Sequence, residues 1–300
     1  MLKLMQVTKR FGMVEALKQV TFDLEPGVTA VVGHNGAGKS TLFSILTGRV
    51  PPTNGNVTFN GLPPAKVRAE LGFLAEEPPF YPYLTGEEQA WYFNNLRENP
   101  VSRGEIRILL EKWGVPRAKK IKDFSLGMRK RLGLACAFLG DPRILILDEP
   151  FNGLDLEGQR LLEEEFASYR TQNKMLIFSS HQPERVTLLA DHLVLLREGR
   201  LIFSGELKTL ARQASRVIFY LSPDTSRQLL QLPGVLEINE KGSWITVTVA
   251  KEAALAFQQR LAEYGVSPQS SQVLLPELQA LIDDATERGE DNGAGCTADN

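Results

Sequence analysis

The stretch Gly33-His34-Asn35-Gly36-Ala37-Gly38-Lys39-Ser40-Thr41 decides the reading of this chain. Gly33 to Ser40 fits G-x-x-x-x-G-K-[ST], a loop whose glycines let backbone N–H groups converge on phosphate oxygens without Cβ obstruction. The context suits it. Gly27 to Val32 is apolar and β-branched and reads as a buried strand, whereas Ser40 to Thr47 has helical composition with Gly48 placed as its C-cap. Strand, loop and helix then aim the helix's positive end at the bound anion. The loop predicts a nucleotide site in which Lys39 reaches the β- and γ-phosphates and the Ser40 hydroxyl ligates Mg²⁺.

Downstream, Ile144-Leu145-Ile146-Leu147-Asp148-Glu149-Pro150 places two acids at the C-terminal end of a second apolar strand, where α/β sheets bind ligands. Alone, such a pair would be a solvated edge or a helix cap. Beside a phosphate loop, Asp148 can hold Mg²⁺ through water and Glu149 can polarise an attacking water.

Buried strands at 27–32, 143–147 and 175–179 alternate with helical stretches, which predicts an α/β domain with a mainly parallel sheet. Residues 86–139 are helical without a convincing strand and read as an insertion. A hairpin turning at Glu198-Gly199 closes this first domain, expected to span residues 1–210 with a helical subdomain at about 77–139. After it, strands at 216–221, 235–239 and 244–249 and helices near 225–232 and 252–264 predict a small α+β domain over 211–286, with a further helix near Pro276. Residues 287–300 are polar, acidic and glycine-bearing, and are expected to be disordered.

Bulk properties exclude several classes. At 300 residues the chain holds one large and one smaller core. With 43% hydrophobic and 23% charged residues and a formal charge of -2, it has the composition of a soluble globular protein and no basic excess for nucleic acid. Cys136 and Cys296 lie far apart, so no disulfide framework is expected. No segment has the apolar length of a signal peptide or a membrane span. A membrane role would need another chain.

The segment Phe124-Ser125-Leu126-Gly127-Met128, followed by Arg129-Lys130-Arg131-Leu132, is similar to the Leu-Ser-Gly-Gly-Gln signature of ATP-binding-cassette (ABC) ATPases. Ser and the second Gly are retained, and Leu126 and Met128 depart from the commonest form. The resemblance covers about residues 1–210 and points to a bacterial exporter-like subgroup. It implies a P-loop NTPase core with an inserted helical subdomain, ATP as substrate with Mg²⁺, and a head-to-tail dimer. In that dimer Ser125, Leu126, Gly127 and Met128 would serve the partner's γ-phosphate. It further implies that Phe11 stacks on adenine, that Asn152-Gly153-Leu154-Asp155 meets the partner subunit, and that His181 touches the γ-phosphate. His34, Asn35, Gly36, Ala37, Gly38 and Thr41 complete the ATP loop.

Glu76, in Leu71-Gly72-Phe73-Leu74-Ala75-Glu76-Glu77, stands where the family usually has glutamine near Mg²⁺ and the attacking water. It is expected to contact the metal while adding negative charge.

The resemblance implies the motor subunit of an exporter, peripheral on the inner face of the bacterial cell membrane. Its partners would be an integral-membrane permease and a second ATPase, identical or related, without nucleic acid. The run Pro78-Pro79-Phe80-Tyr81-Pro82-Tyr83-Leu84 would receive a helix of the permease. The alternatives are a soluble cassette ATPase acting on ribosomes or DNA, and a phosphotransferase. A single phosphate loop and the short insertion argue against the first, and Asp148-Glu149 against the second.

Overall fold

The computed structural model describes residues 1–207, 209, 216–221, 233–241, 244–264, 266 and 270–272. Two compact units are formed. One comprises Met1–His181 with Asp191–Ser204, and the other Gln182–Ala190 with the chain from Gly205 onward.

In the first unit, β1 (Leu2–Phe11) and β2 (Val14–Leu24) form an antiparallel hairpin, and β4 (Asn54–Phe59) pairs with the other edge of β1. A six-stranded sheet lies beside them in the order β5-β6-β7-β3-β8-β9. Its strands are β3 (Gly27–Val32), β5 (Leu71–Leu74), β6 (Ile144–Leu147), β7 (Met175–Ser179), β8 (His192–Arg197) and β9 (Arg200–Glu206). Every pairing from β5 through β8 is parallel. All residues of β3, β6 and β7 are buried, the near-continuous apolar pattern of a sheet covered on both faces.

One face packs through Val31, Ile146 and Ile177 against Leu42 and Phe43 of α1 (Lys39–Leu46) and against Leu4, Leu17 and Phe22 of the hairpin sheet. The other face carries α5 (Leu156–Thr171), whose Phe166 meets Phe178 at 5.0 Å, edge to face. Each such fully buried aromatic contributes about 3–5 kcal/mol against truncation to alanine.

The expected insertion is helical: α2 (Gly86–Asn95), α3 (Arg103–Lys112) and α4 (Leu126–Ala137). Its boundaries follow from capping chemistry. Thr85 with Glu88, and Ser102 with Glu105, form reciprocal capping boxes, and Ser125 caps α4 by accepting from Met128 N. Burial of Asn94, which exchanges two 2.9 Å hydrogen bonds with the Val101 backbone, closes the α2–α3 loop. Past the C-terminus of α4, Phe138 stacks on Trp113 and meets Tyr169 of α5 edge to face, joining insertion to core.

In the second unit, a four-stranded antiparallel sheet runs β11-β12-β10-β13, formed by β10 (Arg216–Leu221), β11 (Val235–Lys241), β12 (Trp244–Ala250) and β13 (Ser270–Gln272). α7 (Lys251–Glu263) covers it through Phe257 and Leu261, packed on Phe219, Val247 and Val249. Strand β13 and helix α6 (Pro183–Leu189) were not anticipated from the sequence. The helices expected near 225–232 and Pro276, and the tail 287–300, lie outside the described residues. Among the described residues no helix is long and apolar enough to cross a membrane.

Candidate active site

The phosphate loop leaves the C-terminal end of β3 and enters α1 at Lys39. Two glycines are required by geometry. A Cβ on Gly33 would lie 2.4 Å from the Leu196 carbonyl oxygen, and Gly38 takes φ +104 with its Cβ position 2.7 Å from Ala16 O. A brace that the sequence did not reveal holds the loop from behind. The β8–β9 turn donates Gly199 N to Ala37 O at 3.0 Å, and Gly199 O accepts from Lys18 N at 2.7 Å. The helix ends one residue earlier than expected, at Leu46 with Thr47 as its C-cap, and Gly48 follows in the left-handed region, φ +66, donating to Ile45 O.

Lys39 is buried and curls back over the loop, its Nζ donating to Gly33 O at 2.6 Å and His34 O at 3.1 Å. Burial holds its pKa below the ordinary lysine value, opposed by the carboxylates of Glu149, Asp148 and Glu76. Ser40 Oγ donates to Asp148 Oδ2 at 3.1 Å, so the loop and the acidic strand end meet directly.

Ser179, the last residue of β7, was missed by the motif reading and is wholly buried. Its hydroxyl donates to Asp148 Oδ1 at 2.7 Å and accepts from Glu149 N at 2.7 Å. The only available signal was position: a hydroxyl at the end of an apolar strand adjoining β6. Glu149 has φ +44, an uncommon left-handed conformation for a non-glycine residue. Its carboxylate receives His181 Nδ1 at 3.0 Å. Burial raises the Glu149 pKa, and His181 and Lys39 pull it down.

The structure thus brings Lys39, Ser40, Asp148, Glu149 and His181 into one cluster at the strand ends. Lys130 of α4 reaches it as well, with Nζ donating to the carbonyls of Glu76 and Glu149 at 3.1 Å each. The Glu76 side chain is exposed at the cluster's rim.

Other expected site residues stand apart. Phe11, at the tip of the β1–β2 hairpin, is 50% exposed with Lys9 Nζ 5.0 Å from its ring centre. Within the loop, Asn35 and Gly36 are exposed, Ala37 is buried and Thr41 is half-buried. His34 directs Nδ1 at the Asn35 carbonyl at 2.5 Å. Ser125 and Leu126 are exposed, and Gly127 and Met128 are half-buried. A Cβ on Gly127 would fall 2.8 Å from Gly153 O, so the signature segment lies against the 152–155 loop of its own chain. Asp155 caps α5 by accepting from Gly158 N and pairs with Arg131 at 2.5 Å.

A parallel sheet with a phosphate loop after one strand and an acid pair after another defines a P-loop nucleotide hydrolase. The particular family follows from the comparisons. The family model described as ABC transporter matches residues 17–152, and one described as AAA domain, putative AbiEii toxin, Type IV TA system, matches residues 120–186. The lantibiotic transport ATP-binding protein SrtF of Streptococcus pyogenes is 37% identical over 210 residues, covering 69% of this chain and 91% of that one. The uncharacterized ABC transporter ATP-binding protein YdbJ of Bacillus subtilis is 31% identical over 252 residues, 81% of this chain and 82% of that one. A solved ATP-binding subunit of an ABC transporter superposes with TM-score 0.64 at 28% identity, covering 71% of this chain and 92% of that one. This chain belongs to the ABC transporter ATP-binding proteins, and it is an ATP hydrolase.

Proposed function

We propose that this chain powers export of a substrate through a separate integral-membrane permease, hydrolysing ATP at two composite sites in a head-to-tail dimer on the inner face of a bacterial cell membrane. The observation that carries the catalytic part is the hydrogen-bonded chain Ser40–Asp148–Ser179–Glu149–His181 around Lys39. It supports in-line attack of water on the γ-phosphate. Lys39 and the loop amides hold phosphate, Glu149 takes the proton of the attacking water, and His181 orients both Glu149 and the γ-phosphate. Phe11 offers an exposed face for adenine.

Mg²⁺ fits this donor set. The Ser40 hydroxyl and the Asp148 carboxylate are hard oxygens 3.1 Å apart, and such a site is completed by water and substrate phosphates. The exposed Glu76 carboxylate would join at the rim. When bound, the ion would neutralise charge developing on the β- and γ-phosphates.

Ser125 is exposed at the N-terminus of a twelve-residue helix, which supports its donation, with Gly127, to phosphate held by a partner subunit. Docking of the permease is assigned to a groove of about 340 Å³ lined by Phe73, Pro78, Pro79, Phe80 and Phe93, beside the exposed Tyr81 and Tyr83. The name of the streptococcal relative, a lantibiotic transport ATP-binding protein, supports a transport role for this chain. Glu149→Gln tests the reading. The variant should bind ATP, lose about 10²–10⁴-fold in hydrolysis, the range for a general base, and accumulate as an ATP-bound dimer. Normal turnover would remove Glu149 from that role.

A further inference from the structure

Lys130 is 4% exposed, and lysine is almost never buried without partners. It sits on α4 five residues after the capping Ser125, outside every residue assigned above to phosphate, metal or water. Its two acceptors come from different elements. Glu76 O belongs to the loop after β5, and Glu149 O to the turn after β6.

The second contact completes a clamp. The Glu149 backbone is held at its N–H by Ser179 Oγ, at 2.7 Å, and at its carbonyl by Lys130 Nζ, at 3.1 Å. That residue has φ +44, an uncommon conformation for a non-glycine residue that persists only where its surroundings impose it. Charge supports the placement. The carboxylates of Glu76, Asp148, Glu149 and Glu77 all favour the charged form of Lys130 against its burial. Lys130 meets the Glu76 loop at the backbone carbonyl, which brings its charge close to that acidic loop.

We infer that Lys130 is a positioning residue which fixes the Glu149 peptide in its strained conformation, and which ties that peptide to the Glu76 loop so that the two act as a charge-compensated pair. Through α4, the orientation of the helical insertion then bears on the readiness of Glu149. Lys130 touches neither substrate nor water in this role. The inference rests on Glu149 being the water-activating group, which Glu149→Gln tests by itself.

The test uses the purified full chain with Lys130→Met, Lys130→Arg, Lys130→Gln, Glu76→Gln and the Glu76→Gln/Lys130→Gln double variant. Readouts are kcat and KM for ATP, affinity for a fluorescent ATP analogue, and thermal midpoint. Lys130→Met should lower kcat about ten- to hundredfold, the cost of displacing a reacting group by about 1 Å, and change analogue affinity less than about twofold. Lys130→Arg, which keeps charge and donors, should restore part of that loss. The double variant should lose less than the product of the single losses, because removing Glu76's charge relieves the need for its partner.

Unchanged kcat in a folded Lys130→Met overturns the inference. So does a parallel fall of kcat, affinity and thermal midpoint that Lys130→Arg does not relieve, since that is the behaviour of a purely structural lysine. Strict multiplicativity in the double variant overturns the pairing with Glu76. If Glu149→Gln turns over normally the base assignment fails instead, whatever the Lys130 series shows.

Discussion

The ends of β3, β6 and β7 and the N-terminus of α4 both gather functional side chains, and they are built in opposite ways. At the strand ends, Lys39, Asp148, Glu149 and Ser179 are buried, and Ser40, Asp148, Ser179 and Glu149 are joined through one hydrogen-bond chain, so each fixes the next. At α4, Ser125 and Leu126 face outward, and what is anchored is the backbone and the far side of the helix. Gly127 lies against Gly153, Arg131 pairs with Asp155, and Lys130 is buried. The first region is preorganised to hold charge within its own chain. The second presents a rigid edge, as a surface completed by another chain would. The contrast explains why a phosphate loop is recognisable alone whereas a signature acquires meaning only beside it.

Four substitutions would break or sharpen that contrast, from the largest effect to the smallest. Gly127→Val puts a side chain into the Gly153 carbonyl and should cut hydrolysis about a hundredfold, the scale for a lost donor to transition-state charge. Affinity of the isolated subunit for ATP should stay within about twofold by equilibrium titration; an equal loss of affinity would mean that the signature serves its own chain's site. Ser179→Ala orphans Asp148 Oδ1 and Glu149 N inside the cluster. It should cost about 1–3 kcal/mol in denaturant unfolding and lower kcat as well. Unfolding unchanged from wild type would show that the chain of hydrogen bonds is not what preorganises the strand ends.

Glu76→Gln should leave ATP binding intact and shift turnover or its coupling to transport in the assembled complex, by about a few-fold, the scale of one screened surface charge. Identical hydrolysis would make Glu76 a bystander. Ser102→Ala removes the α3 capping box and should destabilise the helical insertion by about 1 kcal/mol, read by amide exchange in α3, with ATP affinity untouched. Loss of ATP affinity there would show that the two regions are more tightly coupled than their construction implies.

Much of this was legible in the chain itself, and the reason is local. Gly33, Gly38 and Lys39 act within one strand–loop–helix, so spacing alone specifies them. The all-apolar runs of β3, β6 and β7 signalled a doubly covered parallel sheet for the same reason. The helical character of residues 86–139 was legible too, but the helix starts at Thr85 and Ser102 emerged only with the structure. Ser179, Gly199 and Lys130 could not be read either. A serine ending a strand, a glycine in a hairpin and a lysine amid basic residues are each ordinary, and only their distant acceptors distinguish them.

The sequence by itself determined that a phosphate-binding loop and an acid pair sit at the ends of parallel strands, because periodicity and spacing are encoded by neighbouring residues. Tertiary structure alone decided how those pieces are held. The order β6-β7-β3 sets Ser179 against Asp148, the β8–β9 turn braces Ala37, and α4 brings Lys130 to the Glu149 carbonyl. A hydrogen bond between residues some 20 to 160 positions apart leaves no pattern along the chain. Its existence depends on strand order and helix placement, which the packing of the whole core selects.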